Sequence, residues 1–214
     1  MFINRKEAGE KLSTALSGYR NKNVLVLGIP RGGAEIAYYI ARYLKAELAL
    51  IITRKLGFPS DPETAFGAIA EDGSVYLSPE ASNVPDDAMR AIIEHEKHEI
   101  KRRIKKLRKG RPLPELKGRT VILADDGIAT GSTLFAAIAF CRKMKVGKIV
   151  VAAPIAGQRI DYMLIKMVDE VIILEKPEFF YAVGQGYQDF DDLSDEETVA
   201  FIDNWELERM KRAS

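Results

Sequence analysis

Thirteen residues in mid-chain, VILADDGIATGST from Val121 to Thr133, join two kinds of chemistry in one turn. Four apolar residues run into Asp125 and Asp126, and then into Gly127, Ile128, Ala129, Thr130, Gly131, Ser132 and Thr133. Gly127 and Gly131 let the backbone turn tightly and approach a ligand. The amides of about Ala129 to Thr133 open the next helix, where free N–H groups and the helix dipole favour an anion. Thr130, Ser132 and Thr133 add hydroxyl donors. One phosphate fits that cradle. The two acids would repel it and need hydroxyls or a cation, and a sugar diol beside a phosphate satisfies both halves. A second anion loop is GIPRGG, Gly28 to Gly33, also between a strand and a helix. There Pro30 precedes Arg31, whose fork suits an anion, and Gly32 and Gly33 leave their amides open. Arg54 and Lys55 follow the next apolar run; they face the same cleft, or are a solvated pair at a sheet edge.

These residues need strands that end together. NVLVLG, ELALIIT (ending at Arg54-Lys55), TVILA, KIVVAAPI and EVIILE are apolar runs of strands covered on both faces. Helical stretches alternate with them. Asn4 to about Leu16 has a capping Asn4 and Ala8, Leu12 and Ala15 at helical spacing; the next has Ile36, Ile40 and Leu44; a third has Leu134, Ile138 and Cys141 on one face. QRIDYMLIKM is also helical. The pattern predicts an α/β fold: a Rossmann-like, mostly parallel five-stranded sheet with flanking helices, binding ligands beyond the carboxyl ends of its strands. The segment of about 56–118 interrupts the alternation. GAIAEDGSVYL reads as a hairpin turning on Asp72-Gly73, and Pro85 to about Lys109 as a helix with a Met89, Ile93, Ile100, Ile104, Leu107 stripe. It is an insertion in a single 1–214 domain, not a second domain. Ser194 and Glu197 form a capping box for the last helix, which leaves them no catalytic role.

The totals are those of an ordinary globular chain: 214 residues, 47% hydrophobic, 29% charged, net charge +1. Bulk charge therefore argues for neither nucleic acid nor membrane. No apolar run is long enough to span a bilayer, and the charged N-terminus is no signal core. The lone Cys141 excludes an intrachain disulfide framework and suits a reducing cytoplasm, the default location.

VILADDGIATGST closely resembles the 5-phosphoribosyl-1-pyrophosphate motif of the type I phosphoribosyltransferases, and the chain as a whole is similar to an uncharacterised subgroup of them. The resemblance implies that Asp125 and Asp126 bind the ribose hydroxyls and that Gly127 through Thr133 hold the 5-phosphate. It implies pyrophosphate binding by Pro30, Arg31, Gly32, Gly33, Arg54 and Lys55, with Arg31, Asp125 and Asp126 the catalytic set. It implies Mg²⁺, held mainly through the substrate, with Asp125, Asp126 and Asp189 as carboxylates near it. The insertion corresponds to the family's flexible loop. A hood of about 175–193, completed by N-terminal elements, would present Phe180, Tyr181, Ala182 and Val183 to a nucleobase-like acceptor, with Tyr181 stacking on the base. Phe179 reads equally well as core. A homodimer is the family's common state.

Three departures bear on the acceptor. Ala129 replaces the aspartate of hypoxanthine-guanine enzymes, Ala152-Ala153-Pro154 replaces their lysine, and Gln188 takes the place of a hood acid, with Asp189 one step later. The motif thus specifies the donor and leaves the acceptor open. The competing reading is a non-catalytic regulator that senses the donor and binds nucleic acid, motivated by nine Lys or Arg between Lys97 and Arg111. A solvated amphipathic helix is the simpler account of that stripe. His95 and His98, with Glu94 or Glu99, lack a third ligand cluster and read as exposed helix residues.

Overall fold

The computed structural model describes residues 1–213. In chain order the elements are α1 (Arg5–Ala15), β1 (Val24–Gly28), α2 (Gly32–Leu44), β2 (Glu47–Leu50), β3 (Thr53–Phe58), β4 (Asp61–Ala70) and β5 (Val75–Leu77). Then follow α3 (Asp86–Leu107), β6 (Thr120–Ala124), α4 (Ser132–Lys143), β7 (Lys148–Ile155), α5 (Gln158–Leu164), β8 (Glu170–Glu175) and α6 (Asp195–Ala213). Five strands make a parallel sheet in the order β2-β1-β6-β7-β8. A second, antiparallel sheet has the order β3-β4-β5.

Strand alternation divides the core. Leu25 and Leu27 of β1 point to the face covered by α4, where Leu134, Phe135, Ile138 and Cys141 pack. Val24 and Val26 point to the other face, against Leu12 of α1 and Ile36, Ile40 and Leu44 of α2. Each large apolar side chain so buried contributes roughly 1.5–3 kcal/mol. The helices after β1 and β6 thus leave on opposite faces while β1 and β6 pair directly, Leu27 beside Leu123. This is a topological switch point, and a crevice opens beyond the strand ends there.

The helix starts follow local rules. The Asn4 side chain accepts the Glu7 N–H at 3.0 Å and caps α1. Ser194 and Glu197 exchange hydrogen bonds as a capping box at α6. The buried stripe of α1 is Ala8, Leu12 and Leu16; Ala15, expected inside, is exposed.

The insertion departs further from the sequence reading. ELALIIT is not one strand: β2 stops at Leu50, and Thr53 starts β3 in the other sheet. Ile51 N–H still reaches Gly28 O, but Ile52 N–H turns to the Glu71 carboxylate. Arg54 and Lys55 therefore lie on β3, not at the end of a strand of the parallel sheet. The apolar run hid the break because both sheets bury it. The hairpin turn is also longer than Asp72-Gly73 alone. Gly73 N–H bonds Ala70 O and Gly73 has φ 87°, which makes a three-residue loop with glycine in the left-handed position. The α3 stripe packs on this small sheet: Ile100 and Leu107 are buried, with Met89, Ile93 and Ile104 against Leu56, Phe66 and Ile69.

Candidate active site

The turn from β6 into α4 takes the shape its residues dictate. Gly131 sits at φ 74°, a conformation L side chains rarely adopt, and a Cβ there would lie 3.1 Å from the Phe135 ring and 3.4 Å from Ile128. Ser132 is buried, Thr133 is half-buried, and no side chain caps α4. Its first amides are left for another partner. Across the crevice, the Pro30–Arg31 peptide is cis, and α2 begins at Gly32. A Cβ on Gly32 would lie 1.7 Å from Asp126 Oδ2, and one on Gly33 would lie 2.7 Å from Ala124 O and 3.0 Å from Asp125 Cα. Only glycine at these two positions lets the two turns pack together.

The acids themselves are not open. Arg5, at the first turn of α1, donates from Nε to Asp126 Oδ2 at 2.7 Å, with both side chains largely buried. Its Nη1 donates to Asp191 O at 2.7 Å, and its guanidinium lies 4.0 Å from the centre of the Phe190 ring. Phe190 stacks on Tyr187, whose hydroxyl donates to Asp126 O at 2.5 Å. Asp125 Oδ1 accepts the Asp126 N–H at 3.0 Å. Burial, reinforced by the Asp126 charge, pushes the Asp125 carboxyl well above the ordinary range. Burial raises Asp126 too, and Arg5 pulls it back. Burial also holds the Tyr187 hydroxyl protonated far above its usual range, with Asp126 adding to the effect. Arg5, Tyr187 and Phe190 carried no signal in the sequence; they meet the acids only because Phe2 pairs with Gly186 and Gln188, tying the two chain ends together.

A cleft of about 1000 Å³ opens beside these turns. Pro30, Arg31, Arg54, Lys55 and Thr133 line it, so the two anion loops and the basic pair converge. From α3 come His95, Glu96 and Arg103, and from the segment before α6 comes Asp192. Arg54 Nε is held by Glu96 Oε2 at 2.6 Å. Arg31 and Lys55 are exposed, and the side chains of Arg31, Lys55 and Arg103 make no hydrogen bond or ion pair among the described residues. Asp125 and Asp126 do not line the cleft; they adjoin it through Gly32 and Gly33.

Val183 packs on Gly127, and Phe180 is half-buried near Gly157. Tyr181 and Phe179 are exposed, Phe179 at 71%, so Phe179 is not core. Gln185 Oε1 accepts the N–H groups of Tyr181 and Ala182 at 2.7 and 3.0 Å and fixes that turn. Asp189 is exposed and lies off the cleft; Asp192 is the acid that lines it. His95 and His98 are exposed, and no metal-holding group of three His, Cys, Asp or Glu exists among the described residues. Cys141 is buried, its thiol pushed up to about 12 by that burial. On the basic helix and the residues after it, Lys97, Arg102, Lys106, Arg108, Lys109 and Arg111 are all in ion pairs, the last four with acids outside the helix. The stripe is mostly neutralised within the protein. No described helix is long and apolar enough to cross a membrane.

Comparison with known proteins agrees with this fold. A Thermus thermophilus protein, TT1426, is 36% identical and superposes with a TM-score of 0.81 over 95% of this chain and 98% of that one. The purine phosphoribosyltransferase of Pyrococcus horikoshii shares the fold at 15% identity and a TM-score of 0.50, over 89% of this chain and 92% of that one. "Putative phosphoribosyl transferase Rv0571c" of Mycobacterium tuberculosis is 41% identical over 95% of this chain. The chain spans about half the length of that curated relative, 46% of it. Residues 3–188 match the phosphoribosyl transferase domain, and the chain belongs to that family.

Proposed function

We propose that this chain transfers the phosphoribosyl group of 5-phosphoribosyl-1-pyrophosphate to a nitrogen acceptor of nucleobase type. The observation that carries the reading is the convergence of both anion loops and three cations, Arg31, Lys55 and Arg103, whose side chains have no ion pair among the described residues, on one cleft. In the proposed reaction the anomeric C–O bond to pyrophosphate breaks, a C–N bond forms, and the acceptor nitrogen loses a proton. The α4 amides with Thr130, Ser132 and Thr133 hold the 5-phosphate, and Asp125 and Asp126 meet the ribose hydroxyls. Arg31, Arg54 and Lys55 bind pyrophosphate and stabilise its growing charge as it leaves. The segment of about 175–193 with Phe2 serves as the hood, and Phe180, Tyr181, Ala182 and Val183 face the acceptor.

Mg²⁺ belongs to this reading. The acids are hard oxygen donors of the kind it takes, but Asp126 Oδ2 is already held by Arg5. The residues present therefore fit Mg²⁺ carried mainly on the diphosphate, because neither acid lines the cleft. When bound it would neutralise charge on the leaving group. A cytoplasmic homodimer completes the proposal, the dimer to be checked by light scattering.

The test follows released pyrophosphate with donor, Mg²⁺ and a panel of bases. Acceptor-dependent release supports the transferase. Donor binding without turnover on any base would move the reading to a sensor, and no donor binding would end both.

A further inference from the structure

We infer that Arg103 of α3 is a further pyrophosphate-binding residue, delivered to the cleft on a helix of the insertion; this rests on the donor-site reading above. Glu96, Ile100 and Arg103 stand at i, i+4 and i+7, on one face of α3. Ile100 anchors that face in the insertion core, with 2% exposure. Glu96 satisfies Arg54, but Arg103 receives nothing comparable. Its Nε is buried without a hydrogen-bond partner, and so is the Thr53 hydroxyl; both residues line the cleft with Arg31, Lys55 and Thr133. Arg102, one residue earlier, is exposed and spends its guanidinium on Glu99 at 2.8 Å. The two adjacent arginines thus differ sharply in environment.

A half-buried guanidinium whose buried Nε lacks a hydrogen-bond partner is costly. Burial first, and then the Arg54 charge, weaken its hold on its proton; Arg31 adds to this, while Asp195 opposes it. Evenly spaced surface charges have no reason to gather this way. A group carrying several negative charges on adjacent oxygens turns each of these costs into attraction. The planar fork of arginine also matches phosphate oxygens two at a time. A helix packed through Ile100, Ile104 and Leu107 holds the fork in place before the ligand arrives, so less order must be imposed on binding.

The test is calorimetric titration of the wild type, Arg103→Gln, Arg103→Lys and Arg102→Gln with Mg²⁺-pyrophosphate, and separately with ribose 5-phosphate. Arg103→Gln should weaken pyrophosphate about tenfold and leave ribose 5-phosphate within about twofold. Arg103→Lys should fall between, because the charge returns without the fork. Arg102→Gln should change neither ligand. Arg103→Gln should unfold at a temperature no lower than the wild type, since it removes a half-buried charge whose Nε has no hydrogen-bond partner. Equal pyrophosphate affinity in wild type and Arg103→Gln overturns the inference alone, as does an equal loss for both ligands. A wild type that binds neither ligand overturns the donor site itself, and the inference with it.

Discussion

The two walls of the cleft settle their charges in opposite ways. Behind the β6–α4 wall, Asp125 and Asp126 are largely enclosed, and the protein supplies its own counter-charge through Arg5 at 2.7 Å. On the wall built from β3 and α3, Glu96 holds Arg54, while the side chains of Lys55 and Arg103 have no hydrogen bond or ion pair among the described residues. Acids that are already compensated suit hydroxyls, which need acceptors but bring no charge. Cations left without partners suit an anion. In the proposed reaction the sugar therefore belongs to one wall and the diphosphate to the other, and each substitution below presses on one wall alone.

The largest effect belongs to the acids. Asp125→Asn with Asp126→Asn should weaken donor binding by more than about 100-fold, because two ribose acceptors become partly donors. Mg²⁺-pyrophosphate alone should still bind, since its wall is untouched. Titration of both ligands checks this, and loss of pyrophosphate binding as well would erase the division between the walls.

Arg5 comes next. Arg5→Met removes the counter-charge and leaves an acid pair buried, which should cost about 3 kcal/mol of stability by urea denaturation. Losing either acid partner instead is milder where the carboxyl already favours its proton. A loss well under 1 kcal/mol would mean that the acids are compensated by something other than Arg5.

This contrast also explains how much was legible in the sequence. The β6–α4 turn was, because acids, glycines and hydroxyls are contiguous and their chemistry is local. The five parallel strands were, because each is an apolar run of strand length. The Leu50–Thr53 break was not: Ile51 and Ile52 are buried in either sheet, so hydrophobicity alone could not show that the chain changes sheets. Arg5 was invisible for a different reason. It reaches Asp126 across 121 positions of sequence, through pairing of Phe2 with the Gly186–Gln188 segment. Arg103 was masked by its neighbours, since eight of the nine basic residues around it are not on the cleft.

The acid wall should also have its own pH signature. The folded Asp125 carboxyl titrates well above its ordinary 3.8, so between those values the folded chain holds a proton that the unfolded chain has released. The stability this contributes is fully present below 3.8 and is lost as pH rises through the folded value. Asp125→Asn should lack that decline. Asp126, Arg5, Glu35 and Tyr187 surround the site in both proteins, and Glu35 is itself raised by burial, so the readout is the difference between the two. Urea midpoints measured from about pH 4 to 8 should converge at the acid end and separate toward the alkaline end, with the variant more stable. Parallel curves would place the buried proton elsewhere.

The smallest effect sharpens the division from the phosphate side. Gly131→Ala puts a side chain at φ 74° and a Cβ 3.1 Å from the Phe135 ring. The strain should cost about 1 kcal/mol in stability. The turn would relax by shifting the first amides of α4, the groups proposed to hold the 5-phosphate. Ribose 5-phosphate should therefore weaken several-fold while Mg²⁺-pyrophosphate keeps its affinity, the mirror image of Arg103→Gln. Titration of the two ligands against both variants makes a two-by-two test. If Gly131→Ala weakened pyrophosphate instead, the anion sites would be exchanged between the walls, and the assignment of sugar and diphosphate would have to be exchanged with them.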